Sequence, residues 1–285
     1  ENPVSFEGKI TMPENQRLAC TRNYDLDTYT SAFGGELLGF RKALQALFYF
    51  TDHVALNLNG RRVQLDAPVD VAALAGLTYF AQRRLITNGQ LTVAPGTAWN
   101  TTTVTAVATY ATASPTTLTG VANISAIPVG ARISGTGVGR EVYVLAKNVA
   151  ASTLTLSQPL WGGAGTRSYT FERYKYMLDF SGFVDELHKF EVTDIEFACG
   201  SEASGILLAP VGSAFQITNC VINTPKDRCV TSFGFGCQGL QIDHCELLSR
   251  EFSIPAQDRT TIAFNVNGND SKIRNNRATR FAHFG

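Results

Sequence analysis

Four stretches in the C-terminal half share one arrangement of apolar and polar positions: residues 192–197, 217–222, 242–247 and 273–278 align without a gap. Each runs β-branched apolar, polar, Asp/Asn/His, two variable positions, apolar. The third place is held by Asp194, Asn219, His244 and Asn275, spaced 25, 25 and 31 residues apart. A short β run on either side of a turn, repeated at that length, predicts a solenoid, because one coil cannot bury its own apolar face and must stack on its neighbours. Amide and carboxyl side chains at an inward turn position are then expected to hydrogen-bond along the stack. A second pattern follows the anchors at similar offsets, at 205–208, 229–233 and 261–266. Each coil therefore carries at least two strands, pairing in parallel with the next coil about 4.8 Å away. The competing reading, chance likeness among short β runs of a sandwich, does not account for the recurrence of both residue class and spacing.

The pattern extends upstream. Residues 85–91 fit the same template with Asn88 at the anchor, and 55–65 read as strand, Gly turn, strand. Before them, Leu37, Phe40, Leu44, Leu47 and Phe48 share one helical face, with Thr30 or Ser31 as N-cap. Such a helix would cap the first coil, and residues 1–29 read as an extended arm. Asn88 and Asp194 lie 106 residues apart, far more than one coil. Within that gap, residues 97–172 are rich in Thr, Ala, Val and Gly. They alternate turns with β runs at 102–106, 116–121, 131–134, 141–146 and 153–157, which predicts a small inserted β domain rather than a disordered loop. The division is thus arm (1–29), capping helix and first coils (30–96), insert (97–172) and continuing coils (173–285). Residues 278–285 stop in mid-coil, which implies further chain or a neighbouring subunit over that end.

Composition narrows the partners. Lys plus Arg and Asp plus Glu both number 24, giving a net charge of +0 with no basic run, so nucleic acid is not an expected ligand. No segment approaches the length of a membrane-spanning helix. The six cysteines form no metal-spaced set with histidine and no C-x-x-C; Cys220 and Cys245 share a template position and are expected as stacked, free, buried thiols. No cofactor or metal is implied.

The repeat resembles the right-handed parallel β-helices of the pectate-lyase and polygalacturonase type, a superfamily that includes phage tailspikes and related virion spikes. The Val-Gly-x-x-Ile-x-Gly-x-Gly run at 129–137, with Leu-Thr-Leu-Ser at 154–157, is similar to modules inserted in phage structural proteins. The resemblance implies an all-β solenoid with an N-terminal plug. It also implies a spike of a phage, or of a phage-like particle such as a gene transfer agent, that binds host cell-surface polysaccharide. It further implies a particle-surface location, attachment to other virion proteins through residues 1–29, and a homo-oligomer, with a trimer favoured. The alternative it carries is a polysaccharide lyase or hydrolase.

Candidate chemistry for that alternative is a column of acids leading the second pattern: Glu202, Asp227 and Asp258, two of them followed by Arg228 and Arg259. Stacked carboxylates about 5 or 10 Å apart bracket the retaining and inverting geometries of glycosidases. Asp227 and Asp258 are the catalytic candidates, and Glu202, Arg228, Arg259 and Phe233 the substrate-binding ones, with Phe235 nearby. The polygalacturonase motifs are incomplete: the tandem Asp pair, the Gly-His-Gly and the later Arg-x-Lys are missing. The bland reading is a set of solvated Asp–Arg pairs at coil edges, with the arginines holding the acids ionised. His53, His188 and His283 have no carboxylate or cysteine at diagnostic spacing, and His244 is expected as a turn residue.

Overall fold

The computed structural model describes residues 10–18, 24–49 and 52–284; residues 1–9 and 19–23 of the N-terminal arm, Cys20 among them, lie outside. The chain forms a parallel β-helix. Its first sheet is ten-stranded and parallel. Along the axis it runs Ala55–Asn57 with Arg62–Leu65, Arg84–Val93, Phe190–Ala198, Gln216–Thr218 with Val221–Asn223, Gln241–Asp243 with Glu246–Leu248, and Lys272–Arg274 with Arg277–Thr279. The second sheet stacks Val69–Asp70, Tyr176–Asp179, Ser204–Leu207, Arg228–Thr231 and Ile262–Asn265. The third stacks Tyr79–Phe80, Glu186–His188, Val211–Ser213 and Gly236–Gln238.

Register shows why the repeat aligned without gaps. The first template position forms one column, Leu56–Ile86–Val192–Ile217–Ile242–Ile273, and the last forms another, Val63–Leu91–Phe197–Ile222–Leu247–Ala278. All are fully buried up to Leu247, while Ile273 and Ala278 of the last rung are partly exposed. Inside, Phe180, Phe190 and Phe215 continue the packing with ring centroids 4.9–5.7 Å apart.

The anchors differ from expectation in one respect. Asn88, Asp194, Asn219, His244 and Asn275 all have positive φ, between 53° and 60°, and all are exposed. They bend the strand outward rather than line an inward ladder. Asn, Asp and His recur there because they tolerate the left-handed region better than other side chains. Their side chains pair locally: Asn88 Nδ2 donates to Asn57 Oδ1 (3.0 Å), and both His244 and Asn275 reach Asp243. The bend turns the next residue inward, so Ile195, Cys220 and Cys245 are buried. Gly89 takes that place in its coil because Leu58 occupies the space: an added Cβ would lie 2.6 Å from the Leu58 Cβ. Cys220 and Cys245 are neighbours in the stack, and Cys199, Cys220, Cys229, Cys237 and Cys245 are free and buried.

Among the described residues two helices, not one, precede the coils: α1 (Leu26–Phe33) and α2 (Glu36–Tyr49). Asp25 caps α1 by accepting from the Thr28 N–H, so Thr30 and Ser31 lie inside a helix instead of capping one, and the stretch read as arm ends in this helix. Gly34, at φ 81°, ends α1. The expected α2 face is present: Phe40, Leu44, Leu47 and Phe48 are buried, and the Phe48 ring meets Phe80 at 4.8 Å and Phe190 at 5.8 Å over the first coils.

Residues 102–173 form a separate six-stranded antiparallel sheet with its own core, including Ile127, Ile133, Leu154 and Phe171. Its longest pair joins Thr102–Tyr110 to Gly165–Arg173 across nine partners; the second of these strands is absent from the sequence expectation. The sheet replaces the turn between the first and second solenoid sheets. Trp99, within the stretch read as insert, belongs to the solenoid core, with its Nε1–H donating to Ala94 O at 2.9 Å.

Candidate functional site

The insert folds back over one member of the acid column, Asp227, and over the Arg228 that follows it. Asp227 and Arg228 are buried and ion-paired to each other. Arg228 Nη2 also reaches Glu141 Oε1 of the insert at 2.7 Å, and Arg132 Nη1 of the insert lies 3.7 Å from Asp227 Oδ1. Arg132 in turn pairs with Glu172 at 3.1 Å and covers the Tyr174 ring. Tyr143 donates to Glu141 (2.7 Å) and accepts from Asn265 Nδ2 (2.8 Å). Burial raises the Asp227 carboxyl, and Arg228 and Arg132 pull against it without bringing it down to the ordinary value. Burial opposes the Arg228 charge, but Asp227 first, then Tyr143, Tyr176 and Glu141, raise its pKa. The arrangement is a buried ion cluster that joins two sheets, not a solvated edge pair.

The remaining acids do not converge on it. Asp258 is exposed in a short 3-10 turn and its carboxylate makes no hydrogen bond or ion pair among the described residues. Arg259 donates to Ile254 O (3.0 Å) instead of pairing with Asp258. Glu202 is half-buried on a turn. Phe233 packs with Tyr143, Tyr176 and Leu207 beneath the insert, 4% exposed. Of the residues proposed from sequence for catalysis or substrate contact, the structure joins Asp227 and Arg228 and leaves Glu202, Asp258 and Arg259 apart from them.

An accessible concavity lies beside this cluster, where the insert meets the turn from the second to the third solenoid sheet. Two adjoining hollows, about 620 and 580 Å³, share Leu145, Val211, Gly234 and Phe235 as common wall. Phe235 stands 80% exposed between them. The larger hollow is lined by Gln158, Gln238, Asn267 and Asn269; the smaller is apolar, with Val129, Val184 and Pro210. The loop is held firmly. Asn267 N–H donates to Ser232 Oγ (2.6 Å) and its Nδ2 to Gly234 O (2.8 Å). Gly236 has φ 75°, and an added Cβ would lie 2.1 Å from Asn267 O, so only glycine fits. An apolar ring flanked by amides offers a stacking face and hydrogen-bond partners to a polyhydroxylated ring. The sequence names Phe235, but its partners come from different coils and from the insert, and no linear spacing connects them.

No protein-family model matches the chain, and a search of curated proteins returns no match.

Proposed function

We propose that this chain is a spike or fibre protein of a phage or phage-like particle that binds host cell-surface polysaccharide in the cleft at Phe235. The exposed Phe235 ring, set between amide-lined and apolar hollows at the solenoid–insert junction, carries this reading. A parallel β-helix supports it as a stiff, elongated carrier for such a surface. In this reading residues 1–29 attach to other particle proteins, the chain acts as a homotrimer, and the glycan-binding face points outward at the particle surface.

An array of bacterial capsular and surface polysaccharides tests it. The wild-type chain is expected to bind a subset, and Phe235→Ala to weaken that binding about tenfold, equivalent to ~1.4 kcal/mol, with unchanged melting temperature. Absence of binding across the array, or equal binding by Phe235→Ala, would remove the proposal. Light scattering of the full chain reads the trimer separately.

A further inference from the structure

On the outward face of the third sheet, next to the cleft, three side chains meet that the sequence reading left apart. His188 Nδ1 lies 2.6 Å from Ser213 Oγ, and His188 Nε2 lies 2.8 Å from Glu186 Oε2. Their proximity follows from the coil. Glu186 and His188 are two apart on one strand, so they face the same way. Ser213 is in register with His188 on the next coil, and Gln238 is in register with Ser213 on the coil after that. Leu187 and Cys237, between them, point inward and are buried. An ionised carboxylate can only accept, so Glu186 fixes the histidine proton on Nε2 and leaves Nδ1 to accept from the Ser213 hydroxyl.

We propose that Ser213, His188 and Glu186 form an acyl-transfer site that hydrolyses small carboxylic esters, such as acyl substituents on a sugar. Ser213 is the nucleophile, His188 the general base and then acid, and Glu186 the positioning residue. Ser213 Oγ attacks the ester carbonyl carbon as its proton passes to His188 Nδ1. The carbonyl π electrons move to oxygen and return as the ester C–O bond breaks, and the leaving alkoxide takes the proton from Nδ1. Water then attacks the acyl-serine by the same route, releasing the carboxylic acid and restoring the serine hydroxyl. Gln238, exposed and in register with Ser213 one coil along, at the backbone spacing of about 4.8 Å between parallel strands, is the residue placed to supply a side-chain amide N–H to the developing oxyanion.

Three further observations fit this role. Glu186, Gly212 and Gln238 line the larger hollow, which places the row of Glu186, His188 and Ser213 at its edge. The Tyr79 ring, half exposed, stands edge-on to the imidazole at 6.0 Å and walls the opposite side. Glu186 is held at φ 133°, a conformation L side chains rarely adopt, and such residues concentrate at functional sites. A structural ladder of hydrogen bonds would need neither the strained backbone at Glu186 nor the adjoining hollow. The ester chemistry does not depend on the glycan-binding proposal, since Phe235 takes no part in it.

The test uses the full chain, p-nitrophenyl acetate and a fluorophosphonate probe. Wild-type protein is expected to release nitrophenolate above the buffer rate and to be labelled by the probe at Ser213. Ser213→Ala, which removes one oxygen and leaves the fold intact by circular dichroism, should return the rate to background and abolish labelling. Glu186→Gln should lower kcat with little change in KM, with partial recovery in Glu186→Asp. Gln238→Ala should slow acylation about 10²-fold. Hydrolysis in Ser213→Ala equal to wild type, or no labelling of the folded wild-type chain, overturns the assignment. Both readouts are separate from polysaccharide binding by Phe235 variants.

Discussion

Arg228, on the second solenoid sheet, and Glu141, in a turn of the inserted domain, meet at 2.7 Å although 87 residues separate them. The contact explains why the insert does not swing free. Arg228 is 1% exposed, and its charge is matched by Asp227 on its own strand edge and Glu141 across the junction. Tyr143, Tyr176, Leu207 and Phe233 form a small apolar cluster, and its two tyrosines lie near the Arg228 charge.

Removing one partner from such a cluster is expected to cost more than the pair itself contributes. Arg228→Ala leaves Asp227 buried without its nearest cation, and a loss of about 3–5 kcal/mol in urea unfolding is expected. The double variant Asp227→Leu/Arg228→Met, which removes both charges, should recover most of that loss. A single variant within 1 kcal/mol of wild type would show that water reaches the cluster.

Excision of the insert follows from its strand pairing. Thr102 and Arg173 are antiparallel partners, so their backbones lie about 5 Å apart. Replacing residues 103–172 with a two-residue Asn-Gly turn should let the chain continue from Trp99 to Tyr176 without strain. One cooperative unfolding transition is expected to remain, at a lower midpoint, because Phe233 and Leu207 become solvent-exposed. Loss of cooperativity in calorimetry would make the insert part of the solenoid's folding unit.

The bend residues offer a cleaner measurement. Asn219 sits at φ 53° with an exposed side chain, so what matters at this position is backbone conformation rather than packing. Asn219→Val is expected to destabilise by about 1–2 kcal/mol, while Asn219→Gly stays within ~0.5 kcal/mol of wild type. Equal effects of the two substitutions in a denaturation series would assign the anchor to side-chain hydrogen bonding instead.

This same feature separates what the sequence discloses from what it conceals. The columns of Ile217, Ile242 and Ile273, and of Phe197, Ile222 and Leu247, are legible because every coil must solve the same burial problem at the same register. The polar anchors are legible for a backbone reason, and their outward direction is not, since a left-handed residue and an inward amide leave the same letter in the chain. Helix α1 escapes notice because it is eight residues long, and its cap, Asp25, precedes a weak apolar pattern. The burial of Asp227 depends on how the insert folds back. The meeting of His188 with Ser213 depends on coil length through the third sheet. The Glu-x-His spacing at 186–188 is the one local signal, and it becomes informative once the coils are placed in register.

Acid should act on the long turn between Glu246–Leu248 and Ile262–Asn265 through Glu251. Its carboxylate is buried and accepts from the Thr260 and Thr261 N–H groups at 3.0 Å and from the Thr261 hydroxyl at 2.5 Å. Burial alone would raise its pKa; the Thr261 and Thr260 donors outweigh it and set the value below the ordinary 4.5. A carboxyl depressed in the folded state contributes stability that is fully present above its unfolded pKa and lost as pH falls through the folded one. The contribution should therefore be constant at neutral pH and decline below about pH 4.5. Glu251→Gln keeps the shape but not the charge, and should cost about 2 kcal/mol at pH 7. Other acids titrate in both proteins and cancel in the difference between them. Urea midpoints measured from pH 7 to pH 3 should show the gap between wild type and variant closing on acidification. A gap that stays constant across that range would mean Glu251 is held by packing rather than by its charge.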